Sequence, residues 1–158
     1  MKKYLLRSLY INYTLTVKQN QTMQIPSTDF KTKSPEELIQ WAIDQYGLKA
    51  GLACSFGMED MILIDMIAKL KGPITIFTLD TGRLHEETYE IMEKVRSHYG
   101  LVIKTYFPNL EQVEKLVQKK GFFSFRESIE NRKECCAIRK IEPLNRALGE
   151  LDAWVTGL

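Results

Sequence analysis

The run Lys133-Glu134-Cys135-Cys136-Ala137-Ile138-Arg139-Lys140 sets two thiols side by side, with two cations a turn further on. Thiolates are soft metal ligands, and neighbouring cations lower a thiol's pKa and help to hold a negatively charged cluster. The spacing suits an iron–sulfur cluster beside an anionic ligand. A four-iron cluster takes about four thiolates, and the chain has 3 cysteines. Zinc needs a comparable set, and no histidine or second Cys-x-x-Cys stands nearby to complete it. The third thiol, Cys54, ends an apolar run and reads as a small buried hydrophobe rather than a ligand. If a helix starts at Cys136, Lys140 shares its face and can lie between the sulfurs and a ligand oxyanion. A solvated basic face would have the same sequence.

Two further segments carry functional groups. In Cys54-Ser55-Phe56-Gly57-Met58-Glu59-Asp60, Gly57 permits a tight turn and close backbone approach to a ligand. The helix behind it offers free N–H groups and a positive dipole end, which favour a phosphate near Ser55 and Gly57. Asp60 can accept hydrogen bonds from ligand hydroxyls. An ordinary strand-to-helix turn would read the same way. In Leu79-Asp80-Thr81-Gly82-Arg83-Leu84-His85, Leu79 can lend its backbone to an adenine edge, Thr81 offers a hydroxyl and Arg83 can pair with an anion. Alternatively Asp80 and Thr81 cap the next helix. His85 reads as a cap or surface residue rather than a base.

These segments need a scaffold. The 158 residues are 44% hydrophobic, enough for one domain with a real core, and the net charge of +2 demands neither nucleic acid nor an anionic membrane. The stretch Met1–Leu9 is too short for a signal or a membrane span. Too few cysteines for a disulfide scaffold point to a reducing, cytoplasmic setting. A homo-oligomer is compatible with the sequence. Residues 1–22 read as a loose polar arm ahead of a domain at 23–158. Ser34-Pro35-Glu36-Glu37 opens a helix that stops at Gly47. Short apolar strands are expected at 51–55, 74–79, 101–107 and 153–156, with helices over 59–70, 86–99, from Asn109 to before Gly121, around 125–131 and over 136–148. This alternation implies an α/β fold with a doubly wound, mostly parallel sheet, covered on both faces. Ligands bind such sheets beyond the carboxyl ends of the strands, which selects the loops after Ser55, after Leu79 and at Gly157.

Together, Ser-Phe-Gly-Met-Glu-Asp, Leu-Asp-Thr-Gly-Arg-Leu-His-Glu-Glu-Thr-Tyr, Cys-Cys-Ala-Ile-Arg-Lys-Ile-Glu-Pro-Leu and the final Trp-Val-Thr-Gly-Leu resemble the assimilatory adenylylsulfate/phosphoadenylylsulfate reductases. The cysteine pair is similar to the iron–sulfur subgroup. The resemblance implies an adenine-nucleotide α-hydrolase-like, Rossmann-like domain. It further implies reduction of adenylylsulfate: a cysteine thiolate takes the sulfonate, AMP leaves, and thioredoxin or glutaredoxin releases sulfite from the S-sulfocysteine. Phosphoadenylylsulfate is the alternative substrate. By this likeness Cys135 and Cys136 ligate a [4Fe-4S] cluster, Lys140 links it to the sulfate with Arg139 in support, and Asp60, Leu79, Thr81 and Gly157 hold the adenosine part.

The sequence departs from that family in two places. Phe56 stands where a serine is usual, which bears on the phosphate contact. Beyond Thr-Gly-Leu the family has paired arginines, a further Cys-x-x-Cys and a terminal segment with the nucleophilic cysteine, none of which follows Leu158. The expectation is a domain incomplete at its carboxyl end, with two of four cluster ligands, an unpaired last strand and no competence as a reductase by itself. Two other readings are a non-catalytic nucleotide-binding remnant and a pyrophosphate-loop enzyme that uses ATP, although the latter usually shows a Ser-Gly-Gly-x-Asp-Ser loop.

Overall fold

A computed structural model describes residues 33–157, together with the backbone of residues 2–7 and 12–17. The described strands are β1 (Lys2–Arg7), β2 (Asn12–Val17), β3 (Ala50–Ala53), β4 (Thr75–Leu79), β5 (Ile103–Tyr106) and β6 (Ala153–Gly157). They form one sheet in the order β1-β2-β6-β3-β4-β5. Strands β6, β3, β4 and β5 are mutually parallel, β2 pairs antiparallel with β6, and β1 pairs antiparallel with β2. The helices are α1 (Pro35–Tyr46), α2 (Met58–Leu70), α3 (Glu86–Tyr99), α4 (Leu110–Lys120), α5 (Ile129–Cys136) and α6 (Glu142–Gly149).

Alternation along the strands divides the core between the two faces of the sheet. Leu52, Ile76, Ala153 and Val155 pack with Leu38, Ile39, Ala42, Ile43, Leu63, Ile64 and Val95 of α1, α2 and α3. Their neighbours Ala53, Phe77 and Trp154 pack instead with Leu144, Ala147 and Leu148 of α6. Strands buried on both faces read as continuous apolar runs, as these do. Each fully buried aliphatic side chain stabilises the fold by roughly 1.5–3 kcal/mol. The chain steps outward from β3 to β4 to β5 and then returns to place β6 on the other side of β3. The switch in strand direction of travel therefore falls between β3 and β6, and the crevice at their carboxyl ends is where open α/β sheets take ligands.

Local signals set the helix ends. The Glu37 N–H donates to Ser34 Oγ at 3.2 Å, and the Ser34 N–H donates to Glu37 Oε2 at 2.7 Å, a reciprocal cap with Pro35 inside the first turn. Asn109 Oδ1 accepts from the Gln112 N–H at 3.1 Å and starts α4.

Three expectations are corrected. Strands β1 and β2 lie within the stretch read as a loose arm; Tyr-Thr-Leu-Thr-Val alternates strand-forming residues, a signal of period two. The rest of that arm is outside the described residues. Strand β6 is not unpaired: Leu52 faces Val155 on one side, and Leu15 faces Val155 on the other. The helix expected over 136–148 is two helices joined by a π-helical turn, Ala137–Ile141. Pro143 explains the break. It has no N–H, and its ring clashes with the carbonyl four residues back, at Arg139, so a regular ladder cannot run through. Among the described residues no helix is long and apolar enough to cross a membrane.

Candidate functional site

At the switch point the loop after β3 folds back on the start of α2. Asp60 is 2% exposed. Its Oδ2 accepts from the Ser55 N–H at 2.6 Å and from Ser55 Oγ at 2.8 Å. Gly57 is the N-cap of α2 in extended backbone, with no side-chain cap. Gly157, at the end of β6, presses on the same turn: a Cβ there would lie 2.3 Å from Glu59 Cγ and 2.8 Å from Asp60 Oδ1. The structure thus gathers Ser55, Gly57, Asp60 and Gly157 at one place. Both Ser55 donors are spent on Asp60, so this hydroxyl meets a ligand as an acceptor, and as a donor only by giving up its carboxylate partner.

Phe56, between them, is buried and sits at φ 64°, in the left-handed region that non-glycine residues rarely adopt. Strain of this kind, of order 1–3 kcal/mol, persists where surroundings over-determine it, and it clusters at functional sites. The Phe56 N–H donates to Cys54 Sγ at 3.3 Å. Burial, then the Asp60 charge, pushes the Cys54 thiol up to about 12. Cys54 is thus a neutral, buried group, as its position implied, and no nucleophile at neutral pH.

The loop after β4 is built around Asp80, a buried carboxylate. Its Oδ1 accepts from the Gly82 N–H at 2.7 Å, and its Oδ2 accepts from the Tyr89 hydroxyl at 2.9 Å. Desolvation first, then the Asp80 hydrogen bond, raises the Tyr89 pKa. Gly82 takes φ 68°, so the turn requires glycine. Asp80 therefore shapes its own loop rather than capping α3, whose N-cap, His85, makes no side-chain cap bond. Leu79 is half-buried and ends β4 opposite Tyr106.

Helix α5 ends in the cysteine pair, with Cys135 buried and Cys136 exposed. Lys120 Nζ braces this helix against α4, donating to Asn131 Oδ1 at 2.8 Å and Glu134 Oε2 at 2.5 Å. Arg139, in the π-helical turn, is only 7% exposed, and its Nη1 donates to the Thr81 carbonyl at 2.8 Å. The cysteine segment and the loop after β4 are thereby joined. Lys140 is exposed. Arg83 does not point to an anion: its guanidinium donates to the Phe122 carbonyl and lies 4.6 Å from the Phe125 ring centroid. Residues Phe122, Phe123 and Phe125 are contributors that sequence reasoning missed, although a run of phenylalanines ending in Arg126 is a readable cation–π signal.

Among the described residues no group of three or more His, Cys, Asp or Glu side chains could hold a metal ion. Cys135 and Cys136 are suitable thiolate donors but only half of a four-iron cluster's set. Two cavities lie apart from the switch point. One, of about 650 Å³, is lined by Gln112, Lys115, Lys119, Glu134 and Ile138, and the other, of about 310 Å³, by Lys49, Thr75, Tyr106 and Glu150.

A model of the phosphoadenosine phosphosulfate reductase domain matches residues 49–158. The chain belongs to this reductase-domain family. It is 41% identical over 140 residues to the adenosine 5'-phosphosulfate reductase of Pseudomonas aeruginosa, covering 87% of this chain and 51% of that protein. It is 48% identical over 109 residues to the protein of the same name from Burkholderia cepacia, covering 69% of this chain and 44% of the relative. The probable 5'-adenylylsulfate reductase 1, chloroplastic, of Oryza sativa is 47% identical over 125 residues, 78% of this chain and 26% of the plant protein. The chain spans about half the length, or less, of these curated relatives. Among solved structures, the phosphoadenylyl-sulfate reductase of Candida auris in its phosphate complex superposes with a TM-score of 0.63 at 28% identity, over 75% of this chain and 57% of that one. The reductase-domain match begins at Lys49, immediately before β3, and takes in every candidate site residue.

Proposed function

We propose that the chain carries the nucleotide-binding part of a 5'-adenylylsulfate reductase, which reduces adenylylsulfate to sulfite and AMP in sulfate assimilation. The observation that carries this reading is the Arg139–Thr81 bond, which fixes the cysteine segment to a loop at the carboxyl end of the sheet. In this reading the adenosine lies over the carboxyl ends of β3, β4 and β6. Leu79 and Gly157 offer backbone, while Thr81 and Asp60 offer side-chain groups. Lys140, exposed beside the cysteine segment, neutralises sulfonate charge. A thiolate attacks the sulfonate sulfur, the sulfur–oxygen bond to the phosphate breaks, and AMP leaves with the electron pair. A dithiol of the thioredoxin or glutaredoxin class then attacks the S-sulfocysteine and is oxidised to a disulfide as sulfite leaves. Cys54 is unsuited to the nucleophile's role, and Cys135 and Cys136 would supply two of the thiolate ligands of an iron–sulfur cluster. Names among the relatives at 41–48% identity favour adenylylsulfate over its 3'-phosphorylated form. The free thiols suit a reducing compartment such as the cytoplasm.

Titration calorimetry on the purified chain tests the reading. AMP and adenylylsulfate are expected to bind at one site, phosphoadenylylsulfate more weakly, and magnesium–ATP without turnover. Failure of every adenine nucleotide to bind, or ATP turnover, refutes it. The metal assignment is separate: iron and sulfide taken up on anaerobic reconstitution should be lost in Cys135→Ser/Cys136→Ser. No uptake by the parent chain, or unchanged uptake in the double variant, counts against it.

A further inference from the structure

The peptide unit that joins Thr81 to Gly82 is held at both ends. Its N–H, on Gly82, donates to Asp80 Oδ1 at 2.7 Å, and its C=O, on Thr81, accepts from Arg139 Nη1 at 2.8 Å. A peptide unit is planar, so pinning both groups fixes its orientation and, with it, ψ of Thr81 and φ of Gly82. Gly82 takes φ 68°, which glycine adopts at little steric cost. The Asp80 backbone is anchored as well. Its N–H donates to the Tyr106 carbonyl at 3.0 Å, which carries the β4–β5 pairing one step past Leu79.

The carboxylate that holds this peptide has no cation of its own. Asp80 is 5% exposed, and among the described residues no ion pair involves it. Arg83, three residues on, turns away to the Phe122 carbonyl. A buried carboxylate then depends on neutral donors. Oδ1 has the Gly82 N–H, and Oδ2 has the Tyr89 hydroxyl at 2.9 Å. Rotation of a carboxylate about Cβ–Cγ is soft, so a hold on the second oxygen is what keeps the first one on Gly82. Tyr89 stands in the first turns of α3 and is 39% exposed, and its ring belongs to neither core cluster. What this side chain contributes is therefore mainly its hydroxyl.

We propose that Tyr89 is a positioning residue of the nucleotide site. Its hydroxyl holds the Asp80 carboxylate in the rotation that fixes the Thr81–Gly82 peptide, and so sets the Thr81 side chain and the loop backbone for the adenosine part of the ligand. This rests on the loop after β4 being part of the nucleotide site. Tyr89 acts through Asp80 and need not touch the ligand. The relay needs one loop conformation only: a loop already formed spares the ligand the ordering cost that weakens binding to a loose one.

The test is a double-variant cycle on AMP affinity, measured by titration calorimetry well below each unfolding midpoint. Tyr89→Phe removes one oxygen and leaves a buried carboxylate short of a donor, so AMP should bind about tenfold more weakly. Asp80→Asn alone should also weaken AMP, because a neutral amide oxygen holds the Gly82 N–H less firmly. In the double variant no charge is left unmet, so AMP should bind about as it does to Asp80→Asn. Losses that simply add in the double variant mean that Tyr89 does not act through Asp80, and they overturn the proposal. Tyr89→Phe with a lowered midpoint and the parent's AMP affinity also overturns it, since a merely structural bond gives that result. If the parent chain binds no adenine nucleotide, the nucleotide reading itself fails, and the relay is judged without ligand by amide exchange at Gly82. Tyr89→Phe should speed that exchange about tenfold; an unchanged Gly82 rate overturns it.

Discussion

Replacing Gly157 by alanine probes the crevice between β3 and β6 with one methyl group. The new Cβ would lie 2.3 Å from Glu59 Cγ, 2.8 Å from Asp60 Oδ1 and 3.2 Å from Glu59 Cβ. The Glu59 Cγ can swing aside, but its Cβ is fixed to the backbone of α2. Asp60 cannot move far without releasing Ser55, held at 2.6 and 2.8 Å. Relief comes either from prising the end of β6 away from α2 or from loosening the Asp60–Ser55 pair. Overpacking of this sort costs roughly 1–3 kcal/mol, and a weakened charge-assisted bond to a buried carboxylate costs a similar amount. Alanine's smaller entropy loss on folding returns about 0.5–1 kcal/mol. The net expectation is a loss of about 1 kcal/mol and at most about 2.5 kcal/mol, read by scanning calorimetry as a midpoint lowered by roughly 3 °C and at most roughly 8 °C. AMP affinity, measured well below both midpoints, should fall about tenfold, the equivalent of about 1.4 kcal/mol. A variant that melts within about 1 °C of the parent and binds AMP equally well would show that Gly157 does not close on the α2 turn and that the nucleotide lies elsewhere.

Asp60→Asn keeps the shape of the side chain but replaces a charged acceptor with a neutral one, so urea unfolding should report a loss of about 1–2 kcal/mol; equal stability would mean that the Ser55 bonds are not formed in solution. Cys54 gives the pH dependence. Its thiol holds its proton more tightly when folded, about 12 against an ordinary 9.0, so its contribution is complete below about pH 9 and is lost as pH rises towards about 12. The slope reaches at most about 1.4 kcal/mol per pH unit, and Cys54→Ala should remove it. In the native chain near pH 8, roughly one unit below the ordinary thiol range, iodoacetamide should label Cys136 and spare Cys54; labelling of both at similar rates would contradict the burial.

Much of the scaffold was legible because local chemistry and global fold agree. Ser34, Pro35 and Glu37 announce α1, Asn109 announces α4, and the apolar runs that become β3, β4 and β6 are continuous because both faces are covered. The rule that ligands gather at carboxyl strand ends selected the loops that carry Ser55, Asp60, Thr81 and Gly157, and the structure brings Ser55, Asp60 and Gly157 together at the crevice. Long-range partners were not legible. Arg83 was matched to an anion by its charge; within the chain its partners are a carbonyl and rings some 39 positions away, and nothing in the local sequence encodes that distance. Arg139 lies 58 positions from the carbonyl it holds. Pro143, like the alternation in β2 and the phenylalanine run before Arg126, was an overlooked local signal. An unbroken helix over 136–148 would set a different rotation between Cys136 and Arg139, whereas the π-helical turn forced near Pro143 lets Arg139 turn inward to Thr81 while Lys140 stays in solvent. The different settings of these adjacent cations, Arg139 buried on the Thr81 carbonyl and Lys140 in solvent, thus follow from a proline four and three residues further along the chain. A variant with Pro143→Ala, free to wind as a regular helix, is the point at which sequence, backbone and site should be seen to change together.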